Sequence, residues 1–142
     1  MNLEKVYKLV QADFKQLGFE LKESTREKIE FTAEIVAKDY FDDGVYVDVI
    51  VYSSGTVHIF MTFDKIDATL GVYQLINDFN DSVPFLKAYI SEKKGGDYLE
   101  LHATSINNDD HKVAADAVSF FLNNLLSDTT IKYLTPLTEL TY

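Results

Sequence analysis

Gly44-Val45-Tyr46-Val47-Asp48-Val49-Ile50-Val51-Tyr52-Ser53-Ser54-Gly55-Thr56-Val57-His58-Ile59-Phe60-Met61-Thr62-Phe63 is the stretch on which the fold turns. Two β-branched runs with a period of two meet at Ser53-Ser54-Gly55, the signature of a β-hairpin. Val45, Val47, Val49 and Val51 share one strand face, and Val57, Ile59, Met61 and Phe63 share one face of the partner strand. These two sets join only in the register that places Val51 opposite Val57. A three-residue loop with Gly55 in the left-handed region, as in a type I turn with a G1 bulge, gives that register. A slip of one residue sets the Val face beside His58, Phe60 and Thr62, and every side chain then changes face.

The rest of the chain supplies the partners for this hairpin. Leu3, Val6, Tyr7, Val10, Phe14 and Leu17 recur at helical spacing, with Asn2 to cap the helix and Gly18 to stop it. A short alternating strand over Phe19–Lys22 and a charged connector over Glu23–Lys28 follow. Ile29, Phe31, Ala33 and Ile35 alternate with Glu30, Thr32 and Glu34, and Asp42-Asp43-Gly44 supplies the turn into the hairpin. Asp67 or Thr69 caps a second helix bearing Leu70, Val72, Tyr73, Ile76 and Phe79, after which Pro84 fits.

Phe85–Glu92 and Asp97–Ile106 read as a second hairpin around Lys93-Lys94-Gly95-Gly96, with Leu86, Ala88 and Ile90 sharing a face with Leu99, Leu101 and Ala103. Asp109 or Asp110 caps a third helix with Val113, Ala114, Ala117, Val118, Phe121, Leu122 and Leu125 on its apolar stripe. The expected fold class is α+β: an antiparallel sheet of about five strands with three helices, in the order α-β-β-β-α-β-β-α. Residues 1–126 form a single domain. Residues 127–142, rich in Thr and containing Pro136, form a C-terminal tail that packs on the domain or on a partner.

The 142 residues carry 13 Lys and Arg against 23 Asp and Glu, a net charge of −10. Residues 1–38 hold seven basic against seven acidic side chains, whereas residues 39–142 hold six against sixteen. Such a surface has no basic face to displace phosphate counterions, which argues against nucleic acid and anionic membranes as partners. It suits a basic protein partner. No apolar run approaches the roughly 20 residues of a membrane span. Met1–Lys5 lacks the basic-then-apolar order of a signal peptide. With no cysteine in the chain, the expected location is the cytoplasm.

The element order, together with Leu75-Ile76-Asn77-Asp78-Phe79-Asn80, then Pro84-Phe85-Leu86-Lys87-Ala88-Tyr89-Ile90, then the Tyr98–Ala103 strand, resembles the YbjN-like family. That family shares its fold with the class I chaperones of type III secretion. The resemblance spans residues 1–126 in element order and some thirty positions in local sequence. It implies a protein-binding role without catalytic residues. Chaperones of this shape are small acidic homodimers that hold an extended segment of another protein against apolar patches, while YbjN-like proteins are described as regulatory.

Chemistry-bearing motifs are few. Gly95-Gly96 lies inside a hairpin rather than ahead of a helix and does not form a phosphate loop. His58, His102 and His111 show neither HxH nor HExxH spacing. His58 and His102 could meet on one sheet face and take a metal with Asp48 or Glu100, but exposed strand positions are the expectation for both. Asp42-Asp43 and Asp109-Asp110 fit a turn and a helix cap, and Ser53-Ser54 fits its turn. No catalytic, cofactor-binding or metal-binding residue is assigned, no cofactor is expected, and the chain does not read as an enzyme.

The reverse face of the first hairpin carries the functional expectation. Tyr46, Ile50, Tyr52 and Phe60 point away from the Val face, where a solvated sheet should be more polar. These four residues are the candidate partner-binding set. The expected function is a non-enzymatic protein-binding domain, chaperone-like or regulatory, that acts as a homodimer. The alternative is an acidic inhibitor that mimics nucleic acid, which requires Asp42, Asp43, Asp48, Asp64 and Asp67 to form one stripe.

Overall fold

In the computed structural model, which describes residues 1–35 and 45–142, Val51 faces Val57 and Val47 faces Met61. Strands β3 (Val45–Tyr52) and β4 (Thr56–Lys65) thus pair in the register set by their apolar alternation. The turn closes with the Gly55 N–H donating to Tyr52 O at 2.9 Å. Gly55 has φ +98°, and a Cβ there would lie 2.4 Å from the backbone oxygens of Asn107 and Asn108. Both conformation and space therefore demand glycine.

The remaining elements are α1 (Leu3–Asp13), β1 (Glu20–Ser24), β2 (Lys28–Ile35), α2 (Leu70–Ser82), β5 (Lys87–Lys93), β6 (Gly96–Ile106), α3 (His111–Leu125) and α4 (Asp128–Thr138). Six strands form one antiparallel sheet in the order β1-β2-β3-β4-β6-β5. The first four strands form a meander. The chain then crosses by α2 to the far edge and returns through β6 between β4 and β5.

Caps follow local chemistry. The side chains of Asn2, Thr69, Asp110 and Ser127 each accept a backbone N–H in the first turn of the helix that follows. The N-terminal helix is shorter than its apolar spacing suggests: it ends at Asp13, and a 3-10 turn over Lys15–Leu17 leads to Gly18 in the left-handed region. The Asp42-Asp43-Gly44 turn lies outside the described residues.

The sheet is amphipathic. Ile29, Phe31, Val47, Val49, Val51, Val57, Ile59 and Met61 are buried on one face, together with Leu99 and Leu101. Apolar residues of all four helices join them in one core: Val6 and Val10 of α1, Ile76 and Phe79 of α2, Val118 and Leu122 of α3, and Leu134 and Leu137 of α4. The helices therefore form a single layer over this face. In α2, Leu70 and Tyr73 lie outside the buried stripe, as does Val113 in α3, because the sheet covers only the sector around Ile76 and Phe79 or Val118 and Leu122.

The expectation of about five strands and three helices is corrected to six strands and four α-helices among the described residues. The sixth strand is β1: the short strand expected over Phe19–Lys22, which the count of five omits, runs over Glu20–Ser24, is exposed along its length and pairs with β2 through a register shift between Leu21 and Glu23. It gains order from ladder hydrogen bonds rather than burial. The extra helix, α4, arises in the segment expected as a tail. Threonines and Pro136 lower its intrinsic preference for helix. Burial of Ile131, Leu134 and Leu137 outweighs that preference and the hydrogen bond to the Lys132 carbonyl that Pro136, lacking an N–H, cannot make.

β5 starts at Lys87 instead of Phe85, which takes φ 72° and rests its ring edge-on against Phe120 at 4.9 Å. The Asn80 side-chain amide donates to Ala88 O at 3.0 Å and accepts from Ala88 N at 2.7 Å. It thereby occupies part of the outer edge of the sheet.

Candidate functional site

Alternation sends Asp48, Ile50, Tyr52, His58, Phe60, Thr62, Glu100, His102 and Thr104 to the face opposite the core. Since all four helices pack on the other side, side chains on this face cover one another. Tyr46 is exposed by 58%, while Ile50, Tyr52 and Phe60 are partly buried.

The centre of the face is a ladder of rings. Phe60 lies opposite His102, and their rings stack at 4.4 Å with planes 3° apart. His58 stacks 5.9 Å from Phe60, and Tyr52 meets the His58 ring edge-on at 5.9 Å. Of the four predicted contact residues, Tyr52 and Phe60 thus enter one cluster. Ile50 is opposite His58, and Tyr46 lies towards the other end of β3, opposite Thr62.

Charged groups flank the ladder on both sides. On the β1 side, Lys22 sits 3.4 Å from Asp48 and 3.6 Å from Glu30, and the Asp48 carboxylate raises the Lys22 pKa. On the β5 side, Glu100 is buried and has three partners. The Tyr89 hydroxyl donates to it at 2.6 Å, Lys93 Nζ lies at 2.6 Å, and the Thr62 hydroxyl donates at 3.4 Å.

Burial alone would push the Glu100 carboxyl up. Hydrogen bonds from Lys93 and Tyr89, with the Lys93 charge and Thr62, outweigh it and hold the group below its ordinary value. Burial, then the bond to Glu100 and its charge, push the Tyr89 phenol well above its ordinary range. The arrangement keeps Glu100 ionised and Tyr89 protonated at neutral pH.

The two strand histidines meet, against the expectation of separate exposed positions. His58 Nδ1 lies 3.2 Å from His102 Nε2. Thr104 Oγ1 is 3.0 Å from the first nitrogen and 2.8 Å from the second. Burial, then the neighbouring His58, lower the His102 pKa, against an upward pull from Glu100. Neither Asp48 nor Glu100 completes a metal cluster, and among the described residues no three His, Asp or Glu side chains converge as a metal site. Strand alternation already placed both histidines on even faces; their meeting depended on β6, rather than β5, lying beside β4.

The other motifs have structural roles. Asp110 caps α3, Ser53 and Ser54 form the hairpin turn, and Asp67 accepts the Tyr142 hydroxyl at 2.9 Å. Among the described residues no helix is long and apolar enough to cross a membrane. Comparisons with family models, with curated proteins and with solved structures find no match to this chain.

Proposed function

We propose that this chain is a non-enzymatic protein-binding domain, chaperone-like or regulatory, which works as a homodimer. It uses the open sheet face centred on Tyr46, Ile50, Tyr52 and Phe60. The observation that carries this reading is a sheet face with no helix over it among the described residues, whose centre is aromatic and whose margins are charged. An apolar, aromatic centre with a polar rim is the usual anatomy of a protein interface, and tyrosine is a frequent anchor.

The net charge of −10 suits a partner segment with basic character, and the lack of cysteine suits work in the cytoplasm. The nucleic-acid-mimic reading has no comparable support. Asp48 is engaged by Lys22 and Asp67 by Tyr142, while Asp42 and Asp43 lie outside the described residues.

The test combines light scattering with affinity purification from the native cell, using the wild type and a Tyr46→Ala/Tyr52→Ala/Phe60→Ala variant. The expected outcome is a wild-type dimer and a specific co-purifying protein, with the co-purification lost in a variant that still unfolds cooperatively. A monomeric wild type, with equal recovery of every companion by both proteins, would overturn the reading.

A further inference from the structure

We propose that His58, His102 and Thr104 form a solvent-open site for a divalent transition-metal ion of the imidazole-preferring class: copper(II), nickel(II) or zinc(II). The argument is the shape of the donor triangle. Its edges are 3.2 Å from His58 Nδ1 to His102 Nε2, 3.0 Å from His58 Nδ1 to Thr104 Oγ1 and 2.8 Å from His102 Nε2 to Thr104 Oγ1. An ion that holds its ligands at about 2.05 Å separates them by about 2.9 Å at a right angle and about 3.3 Å at the tetrahedral angle. The three edges match one face of such a coordination shell. The His58 and His102 rings have centroids 5.4 Å apart and planes 14° apart, so the two nitrogens point nearly at each other and both rings turn when an ion takes its place beside them.

The scaffold holds the triangle in place. His58 and Thr104 are directly opposed on β4 and β6, and His102 lies on the same face two residues before Thr104. The Phe60 ring stacks on His102 and restrains its rotation. Without an ion, an imidazole N–H and the threonine hydroxyl share the hydrogen bonds of the triangle. On binding, the ion takes the place of the N–H proton that points into the triangle, and solvent carries that proton to the far nitrogen of the same ring. The rings remain neutral ligands, and no net proton is released.

Imidazole pairs suit copper, nickel and zinc, whereas magnesium prefers oxygen ligands. Among the described residues no helix covers the site, and with Thr104 exposed and both histidines partly so, water can fill the remaining positions.

The full chain is titrated separately with zinc(II), nickel(II), copper(II) and magnesium(II) by calorimetry, while the imidazole signals are followed by NMR. The expected result is saturable one-to-one binding of at least one of the three transition ions and none of magnesium. The His58 and His102 rings should respond together and ahead of His111. His58→Ala and His102→Ala should each weaken binding about tenfold or more, Thr104→Val less, and His111→Ala not at all. If either alanine variant fails to fold, the ring signals of the wild type decide. The proposal is overturned by non-saturable binding of all three ions, or by a response at His111 and surface carboxylates equal to that at His58 and His102.

Discussion

The two faces of the sheet are built from the same strands and solve different problems. On the covered face the strands present Val, Ile, Leu, Met and Phe, and side chains such as Phe31, Val47 and Val49 lose all contact with water. On the open face the same strands carry rings, carboxylates and hydroxyls that pack sideways on one another. The first face is held by burial under four helices. The second is held by lateral pairs: Phe60 on His102, and Lys93, Tyr89 and Thr62 around Glu100. Apolar area removed from water sets stability on one side, and the identity of polar neighbours sets it on the other.

Phe31→Ala gives the largest expected effect and breaks the comparison on its covered side. Phe31 is fully buried between the Tyr7 and Phe19 rings, at 5.0 and 5.2 Å. Its truncation should cost about 3–5 kcal/mol in urea unfolding. A loss below about 1 kcal/mol would show that the helical layer does not seal this face.

Glu100→Gln probes the open side. It leaves Tyr89 and Lys93 facing an uncharged amide and should cost about 1–2 kcal/mol at neutral pH. The pH dependence has a definite sign. Because Glu100 titrates below its ordinary 4.5 in the folded chain, its contribution is full above that value and is lost as pH falls through the lower folded value. In the variant this acid loss should flatten, as read from urea midpoints at several pH values.

Tyr46→Ala should change stability by no more than about 0.5 kcal/mol, because the side chain is mostly exposed. It should nonetheless weaken partner capture. A large stability loss with unchanged capture would make Tyr46 a packing residue.

Much of the architecture was legible because it depends on near neighbours in sequence. The Val45–Val51 and Val57–Phe63 alternations and Gly55 sufficed for the hairpin register, and polar residues before each apolar stripe marked the caps. α4 was not legible, because Thr129, Thr130 and Pro136 disfavour helix locally while Leu134 and Leu137 reward it only against a preformed core. For β1 the strand over Phe19–Lys22 was legible but its extent to Ser24 was not, because its exposed residues show little burial pattern and its order comes from pairing with β2.

The candidate contact residues Tyr46, Ile50, Tyr52 and Phe60 were legible as a face, since a period of two assigns side chains to faces without any knowledge of the third dimension. The sequence by itself determined which side chains lie on which side of each strand, through alternation and turn chemistry. Only the tertiary structure decided which strand lies beside which. With β6 next to β4, His102 and Thr104 meet His58, and Glu100 comes within reach of Thr62. Strand order follows from long-range packing and the α2 crossover, and no local pattern encodes either.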